Sequence, residues 1–253
     1  MIVLEAVDLA KVYRGGDGGV ITVLDGISFE VARGEMVAVV GASGAGKSTL
    51  LHLLGALDAP TRGTVTIDGQ PITNRPEPTT NGGPLRRLRG RSQQNRADLA
   101  VSAMRNRSVG FVFQFHHLLR EFTALENVMM PMRIAGWDDR RAATRAEDLL
   151  GRVGLSGRTM HKPAALSGGE QQRTAVARAL ALDPAVVLAD EPSGNLDHAN
   201  SERLHDLFEE LSRDLAIAMV IATHNRSLAA RADRTLLLED GRLTDTDVPE
   251  VVP

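Results

Sequence analysis

The order of hydrophobic and polar positions predicts a chain in which strands alternate with helices. Near the N-terminus, β-branched or alternating segments predict strands at residues 2–9, 20–24 and 27–31. Continuous apolar runs farther along predict more strands, and leucine or alanine at helical spacing predicts helices between them. These strands are 36–40, 65–67, 109–113, 186–189, 217–223 and 235–239, and the helices are 48–57, 168–182 and 201–215. The alternation predicts an α/β core with a largely parallel sheet.

Two segments depart from this alternation. Residues 125–155 have a helical pattern with breaks at Pro131 and Gly136, which predicts a packed helical subdomain. Residues 73–98 contain three prolines and three glycines but few apolar side chains, a composition typical of a mobile insertion.

Composition narrows the class of protein. A chain of 253 residues with 43% hydrophobic and 24% charged residues can bury a sizeable core. The absence of cysteine excludes disulfides, iron–sulfur clusters, thiolate zinc sites and a cysteine nucleophile. The longest apolar run, 215–222, is far shorter than the roughly 20 residues that a membrane-spanning helix needs. The first ten residues also lack the basic start of a secretory signal.

The net charge of −3 conceals an uneven distribution. Residues 75–107 contain eight arginines and two acidic residues, a local net charge of +6, which leaves −9 for the remainder. A solvated loop accounts for this excess, and contact with anionic lipid headgroups is the alternative hypothesis. Nucleic acid is not an expected partner, because this stretch has no aromatic residue that could stack on bases.

A phosphate-binding pattern, G-x-x-x-x-G-K-[ST], follows the predicted strand 36–40. Glycines let the backbone wrap around phosphates so that several N–H groups point at them, and the next helix adds its positive dipole end. Lys47 can reach the β- and γ-phosphates, and the Ser48 hydroxyl can ligate Mg²⁺. An ordinary glycine-rich turn before a helix is the alternative. The residues are Gly41, Ala42, Ser43, Gly44, Ala45, Gly46, Lys47 and Ser48, followed by Thr49.

Two acidic residues end the apolar strand at 186–189. In a parallel sheet this strand end would lie beside the phosphate loop. Asp190 is then expected to hold Mg²⁺ through water, and Glu191 to polarise an attacking water. Without the phosphate loop, both would be ordinary solvated residues at a strand end.

The sequence LSGGEQ at 166–171 resembles the motif that separates ABC-type ATPases from other phosphate-loop proteins. Further elements resemble that family in their order along the chain, over about residues 2–243. In isolation, Tyr13 could equally be a half-buried aromatic residue, Gln114 a surface amide and His224 a strand-end histidine. These elements are Tyr13, Gln114, the segment 193–197 and His224.

The resemblance implies the architecture of the chain. We expect a phosphate-loop NTPase core of the ABC ATPase type, with an N-terminal antiparallel β subdomain and an inserted helical subdomain. The ATPase domain would cover 2–243, with its core at about 2–72 and 166–243 and the helical subdomain at about 115–165. The basic insertion would cover 74–98 and a tail 244–253.

The resemblance also implies ATP hydrolysis between two copies of the chain. ATP and Mg²⁺ in the phosphate loop of one copy would be covered by the signature segment of the other, which contains Ser167, Gly168, Gly169 and Glu170. There, N–H groups at a helix N-terminus would face the γ-phosphate. Closed pairing would couple hydrolysis to association.

Individual roles follow from the same resemblance. Tyr13 would stack on adenine, and Lys47 would assist catalysis. Glu191 would act as the general base, while His224 would contact the γ-phosphate and orient the water. Gln114 would join Ser48 and Asp190 around Mg²⁺ and report its state to a membrane partner.

The segment 113–128 closely resembles the ATP-binding subunits of bacterial lipoprotein-releasing systems, which typically have QFHHLL followed by proline. Arg120 replaces that proline here, and Ser193 stands where threonine is usual. The resemblance implies a peripheral subunit on the cytoplasmic face of the bacterial inner membrane. It would drive lipoprotein release through membrane-spanning permease subunits.

The stretch after Gln114 is where this family grips a coupling helix of its permease. An apolar groove floor and a polar rim would form the grip, although ordinary packing of a helix against the core is the alternative. The floor would be Phe115, Leu118, Leu119 and Phe122, and the rim His116, His117 and Arg120.

Three other functions compete with lipoprotein release. A macrolide-exporter-type or cell-division-type ABC ATPase has the same motifs. A DNA-repair or chromosome-structure ATPase usually interrupts its head with a coiled coil or zinc module, which the absent cysteines and the short span from Lys47 to Asp190 disfavour. A non-hydrolysing regulatory module is disfavoured by the intact Lys47, Asp190, Glu191 and His224.

Overall fold

The computed structural model describes residues 1–16, 19–72 and 99–246. The predicted basic insertion at 74–98 and residues 247–253 of the predicted tail lie outside the described residues. Within the described ranges, no helix combines the length and apolar character needed to cross a membrane.

An antiparallel sheet contains the N-terminal strands. β1 (Ile2–Arg14) lies between β2 (Val20–Ala32) and β4 (Arg62–Ile67), and β5 (Gln70–Pro71) continues the sheet beside β4. The two strands predicted at 20–24 and 27–31 form one continuous β2, whose pairing with β1 shifts register at several points. The expected antiparallel β subdomain is therefore present.

A six-stranded sheet forms the centre of the protein, in the order β10-β9-β3-β8-β7-β6. All neighbouring pairs are parallel except β10 with β9. β10 crosses the predicted boundary at residue 243, and its polar, largely exposed sequence gave no strand signal. The strands are β3 (Met36–Val40), β6 (Val109–Phe113), β7 (Val186–Asp190), β8 (Ala218–Ala222), β9 (Arg234–Glu239) and β10 (Arg242–Thr246).

Helices cover both faces of this sheet. The predicted break at Pro131 is wrong, because α3 continues through it, and the buried Val128 and Met132 hold that part of the helix in the core. The predicted break at Gly136 is confirmed, since Gly136 (φ +83°) lies between α3 and α4. The helices are α1 (Lys47–Leu54), α2 (described over 99–108), α3 (Ala124–Ile134), α4 (Asp139–Arg152), α5 (Gly168–Ala179), α6 (His198–Leu215) and α7 (Arg226–Ala229).

The strands divide their side chains between two hydrophobic cores, as the two-residue period of a strand requires. On β7, Val187 faces the core shared with α3–α6, whereas Val186 and Leu188 face the core shared with α1 and the antiparallel sheet. β8 alternates in the same way. Because the parallel strands are fixed on both faces, their carboxyl ends form one edge that positions the loops beyond them.

Candidate functional site

The phosphate loop joins the end of β3 to the start of α1. Gly41 has a φ of +156°, and a Cβ there would lie 2.3 Å from the carbonyl oxygen of Leu238 on β9. Gly46, with a φ of +104°, similarly lies against Val23 of the antiparallel sheet. The loop is thus clamped between the two sheets in a conformation that favours glycine.

The backbone N–H groups in the first turn of α1 have no side-chain cap and can donate to a bound ligand. Its N-cap, Gly46, makes no side-chain hydrogen bond to the helix. Lys47 is 9% exposed, and its Nζ donates to the carbonyl oxygens of Gly41 (2.8 Å) and Ala42 (3.0 Å). The ammonium is therefore held over the loop. Uncapped helix N–H groups, a glycine cradle and a fixed cation fit a chain of phosphates.

Glu191 and His224 meet beyond the ends of two neighbouring strands, β7 and β8. Oε1 of Glu191 lies 2.8 Å from Nδ1 of His224. Oε2 of Glu191 accepts from the Thr223 hydroxyl and from the His224 N–H, both at 3.3 Å. Glu191 itself has a left-handed φ of +44°, a conformation that is unfavourable for glutamate. The strand ends therefore hold a carboxylate against an imidazole, and His224 is largely exposed beside it.

Side chains that carry oxygen donors lie on the same edge of the sheet. Phe113 pairs with Asp190, so Gln114 follows β6 beside the end of β7. The Gln114 amide donates to Oδ1 of Asn195 at 3.2 Å, and the Asn195 amide donates back to the Gln114 carbonyl at 3.2 Å. β8 separates β7 from β3, so Asp190 lies two strands away from the phosphate loop. A carboxylate, an amide oxygen and the Ser48 hydroxyl are the donor types that suit Mg²⁺.

Tyr13 lies on β1, in the antiparallel sheet. Its hydroxyl donates to Oδ2 of Asp58 at 2.9 Å, and Nζ of Lys11 lies 4.8 Å from the ring centroid. Burial, followed by the neighbouring Asp58, raises the pKa of Tyr13, while a hydrogen bond with Thr49 of α1 lowers it. Tyr13 as a whole residue is 41% exposed, so part of it remains accessible beside α1.

The signature segment forms the start of α5. Ser167 is the N-cap: its hydroxyl accepts from the Glu170 N–H (3.3 Å), and Oε2 of Glu170 accepts from the Ser167 N–H (2.8 Å). Arg158 donates to Oε1 of Glu170 at 2.8 Å, and this contact, with the capping bond, lowers the pKa of Glu170 to about 2. Both carboxylate oxygens of Glu170 thus already accept hydrogen bonds from its own chain. Ser167 and Gly168 are exposed, whereas Gly169 is buried against Asn200 of α6.

Three polar residues that the sequence did not single out fix the backbone on either side of Gln114. Asn127 on α3 is fully buried, and its amide bonds backbone groups of Leu119, Phe122 and Thr123. On α5, Gln172 donates to the Phe113 carbonyl, and Arg178 donates to the carbonyls of His116 and His117. Their signal was a polar residue on an otherwise apolar helix face, which is visible for Asn127 among Leu125, Val128 and Met129.

A surface cavity of about 520 Å³ opens between this segment and residues 163–171. Phe115, which is 65% exposed, and Leu118 line it together with Pro163 and Ala164. Two of the four residues expected on the groove floor, Leu119 and Phe122, do not line this cavity, whereas the expected rim residues His116, His117 and Arg120 do.

His116, expected at the rim of the groove, is half-buried. Its Nε2 lies 3.0 Å from the Gly168 carbonyl oxygen, and burial lowers its pKa. The segment after Gln114 is irregular rather than helical.

Curated proteins resemble the chain over nearly its whole length. The lipoprotein-releasing system ATP-binding protein LolD of Geobacter metallireducens is 51% identical over 240 residues, covering 95% of this chain and 97% of that protein. LolD of Bordetella pertussis is 50% identical, with 95% and 94% covered. LolD of Ruegeria pomeroyi is 50% identical, with 93% and 94% covered.

A solved structure also shares the fold. A dimeric structure of the ATP-binding cassette MJ0796, in a post-hydrolysis state with bound ADP and Pi, matches with a TM-score of 0.80 and 32% identity. It covers 98% of this chain and all of the other. The family model described as ABC transporter matches residues 24–194, which contain the phosphate loop, the signature segment and Glu191. The chain therefore belongs to the ABC transporter family, as a subunit that binds ATP and hydrolyses it to drive transport.

Proposed function

We propose that this chain is the ATPase subunit of a membrane complex that releases lipoproteins from the bacterial inner membrane. The observation that carries the proposal is the identity of about half of all positions, over 95% of the chain, with LolD proteins of lipoprotein-releasing systems. The subunit itself would not touch the lipoprotein. It would convert ATP binding and hydrolysis into movement of membrane-spanning permease subunits.

The phosphate loop binds the triphosphate of ATP in this proposal. The first N–H groups of α1 face the phosphates, and Lys47 turns from the loop carbonyls to the β- and γ-phosphates. Tyr13 offers its exposed ring to adenine. A bound Mg²⁺ would be held by Ser48, Asp190 and Gln114, and would neutralise charge on the phosphates.

Glu191 accepts the proton of the attacking water in this proposal. Its carboxylate is held by Thr223 and by both the backbone and the ring of His224, so its orientation is set before the substrate arrives. His224 is exposed on the other side and can turn to the γ-phosphate. A positioned base and an oriented water together contribute the proximity and proton transfer that hydrolysis needs.

A second copy of the chain completes the site. In this proposal, Ser167, Gly168 and Gly169 of one copy cover the γ-phosphate bound by the other. Ser167 and Gly168 are exposed in the described structure, whereas Glu170 is held by Ser167 and Arg158. We therefore assign Glu170 the role of holding the signature turn, rather than direct contact with ATP.

The cavity beside Phe115 receives an apolar segment of the permease. Movement there can reach both catalytic elements through direct contacts. His116 bonds the Gly168 carbonyl of the signature segment, and Arg178 bonds the His116 and His117 carbonyls from the other end of α5. Gln114, at the start of the same segment, bonds Asn195. The segment thus links the proposed docking site to the signature turn and to the metal ligands.

The proposal places the subunit peripherally, on the cytoplasmic face of the inner membrane. The arginine-rich stretch 75–107 could add contact with anionic lipid headgroups, each arginine near the surface contributing roughly 1 kcal/mol. Arg105 on α2 donates to the Ala56 carbonyl at 2.9 Å, so its guanidinium already has a partner within the fold. The lipid contact therefore depends on the other arginines of the stretch.

Affinity purification of the full chain from native membranes tests the assignment. We expect permease subunits of a lipoprotein-releasing system to co-purify, and Phe115→Asp to abolish their recovery. Ile134→Asp is the matched control, because Ile134 is 71% exposed at the end of α3, away from the cavity. Recovery of macrolide-exporter or cell-division permeases would overturn the proposed substrate. Equal recovery with both variants would overturn the docking site.

A further inference from the structure

A buried histidine that the proposed reaction does not use lies behind the catalytic edge. His205, on the third turn of α6, is fully buried, although histidine is a polar residue that needs partners in such a place. Its Nε2 lies 3.1 Å from the Ser193 hydroxyl, and its Nδ1 lies 3.4 Å from Oε1 of Glu202. Ser193 is itself 5% exposed.

The partners of His205 fix its protonation. Burial lowers the pKa of His205, so the ring is neutral at pH 7. Because the Glu202 carboxylate can only accept, the single ring proton belongs on Nδ1, and Nε2 accepts the proton of the Ser193 hydroxyl. Nε2 is therefore committed to the Ser193 hydroxyl, whereas the buried Nδ1 makes no hydrogen bond and has only the 3.4 Å contact with Oε1 of Glu202.

Glu202 extends this contact to the segment that follows His224. Its Oε1 accepts from the Ser227 hydroxyl at 2.8 Å, and its Oε2 accepts from Arg231 at 2.7 Å. Ser227 lies on α7, three residues after His224. Ser193 lies two residues after Glu191, in a loop with close turns from Glu191 to Gly194 and from Ser193 to Leu196.

The contacts form a closed ring. Ser193 follows Glu191 by two residues in the polypeptide and contacts His205. His205 contacts Glu202, and Glu202 contacts Ser227. Ser227 in turn follows His224 by three residues. The ring closes at the 2.8 Å contact between His224 and Glu191. We propose that the Ser193–His205–Glu202–Ser227 bridge holds the Glu191 carboxylate in register with His224, which makes His205 a positioning residue for ATP hydrolysis.

This inference rests on the proposed roles of Glu191 and His224. Loss of the bridge would let the two loops shift relative to each other, and small displacements of a reacting group cost up to about 100-fold in rate. The phosphate loop joins β3 to α1, and none of the four bridge residues belongs to it. We therefore expect kcat to fall while KM for ATP stays constant.

Steady-state hydrolysis by the purified full chain tests the bridge. Ser193→Ala should lower kcat about five- to tenfold with unchanged KM, and Ser193→Thr, which keeps the hydroxyl, should restore it. Phe208→Leu is the matched control: Phe208 is fully buried on the same helix but is apolar. It should lower the melting temperature and leave kcat at 25 °C unchanged. If Ser193→Ala fails to fold, Ser227→Ala tests the bridge instead, because Ser227 is exposed. We expect a smaller loss of kcat in that variant.

Wild-type kcat in the folded Ser193→Ala or Ser227→Ala protein would overturn the bridge. A kcat loss in Phe208→Leu equal to that in Ser193→Ala would also overturn it, because the effect would then follow stability alone. Glu191→Gln is measured in parallel. Rapid hydrolysis by that variant would refute the base assignment, whereas an inactive Glu191→Gln beside an unaffected Ser193→Ala would refute only the bridge.

Discussion

The first turns of α1 and α5 are built in opposite ways, although both are proposed to face the same phosphates. α1 begins at Gly46 with no side-chain cap, and its loop is clamped by Gly41 against Leu238. α5 begins with a complete capping box between Ser167 and Glu170. One helix start is therefore shaped by backbone geometry, and the other by its own side chains.

This difference suits one helix start to binding ATP and the other to covering the ATP that a second copy has bound. α1 presents unsatisfied N–H groups that can bind phosphate within a single copy. α5 has its turn stabilised internally, by Glu170 and Arg158, and exposes Ser167 and Gly168 at the surface. We therefore expect α1 to bind ATP and α5 of a second copy to complete the catalytic site.

The largest expected loss of ATP hydrolysis comes from substituting Glu191, at the sheet edge where both helix starts are proposed to meet ATP. Glu191→Gln removes the base but keeps the shape, so kcat should fall at least about 100-fold while ATP binding persists. We also expect an ATP-stabilised dimer, visible by size-exclusion chromatography with ATP. Glu239→Gln, at an exposed strand end, is the control and should hydrolyse ATP normally. Rapid steady hydrolysis by Glu191→Gln would contradict the assignment.

The next effect concerns the clamp on α1. Gly41→Ala places a Cβ 2.3 Å from the Leu238 carbonyl oxygen, so the loop must move. We expect the affinity for ATP to fall at least about tenfold, which corresponds to 1.4 kcal/mol. Isothermal titration calorimetry measures it. Gly154→Ala is the control: Gly154 also has a positive φ (+72°), but open space surrounds it, so the substitution should leave the affinity unchanged. Equal affinity in both variants would remove the clamp from the account.

A smaller effect separates capping from function at α5. Ser167→Ala and Thr123→Ala each remove the N-cap of a capping box, on α5 and α3 respectively. Each should lower the free energy of unfolding by about 1 kcal/mol. Only Ser167→Ala should also lower ATPase activity. If Thr123→Ala reduces activity equally, the role of Ser167 is structural alone.

The smallest expected effect is the pH dependence of the α5 turn. Arg158 and the capping bond hold the pKa of Glu170 at about 2, below its usual value. The ionised form therefore stabilises the fold above the unfolded-state pKa of about 4.3, and this contribution is lost as pH falls from there toward 2. Urea unfolding at pH 7 and pH 3 measures it. The stability difference between the wild type and Glu170→Gln should shrink at pH 3, and a constant difference would contradict the pKa assignment.

Local sequence patterns predicted the buried strands, which are short apolar runs, and the phosphate loop, which has a fixed spacing of residue types. The apolar runs of β3, β7 and β8 were recognisable because these strands are buried on both faces. The phosphate loop was recognisable because its glycines and lysine must occur at fixed spacing. The α/β core followed from the alternation of strand and helix patterns. The role of the signature segment and the division into an antiparallel β subdomain and a helical subdomain came from resemblance to a family.

Long-range contacts account for what the sequence did not predict. Pro131 looked like a helix break because local rules ignore the packing of α3 against the core. β10 has a polar sequence, and its strand conformation is stabilised by antiparallel hydrogen bonds with β9. Arg178 bonds the carbonyl of His116, which is 62 residues away in the chain. The burial of His205 depends on the packing of α6 against the core, which neighbouring residues do not encode.

The central claim, that Ser167 of one copy covers the phosphate loop of another, can be tested by cross-linking. The chain has no cysteine, so single cysteines introduced into it react without background. Ser43→Cys and Ser167→Cys variants, each also carrying Glu191→Gln, are mixed with a short bis-maleimide. We expect a cross-linked dimer in the mixture that forms only when ATP is added. The absence of an ATP-dependent cross-link between these two positions would contradict it.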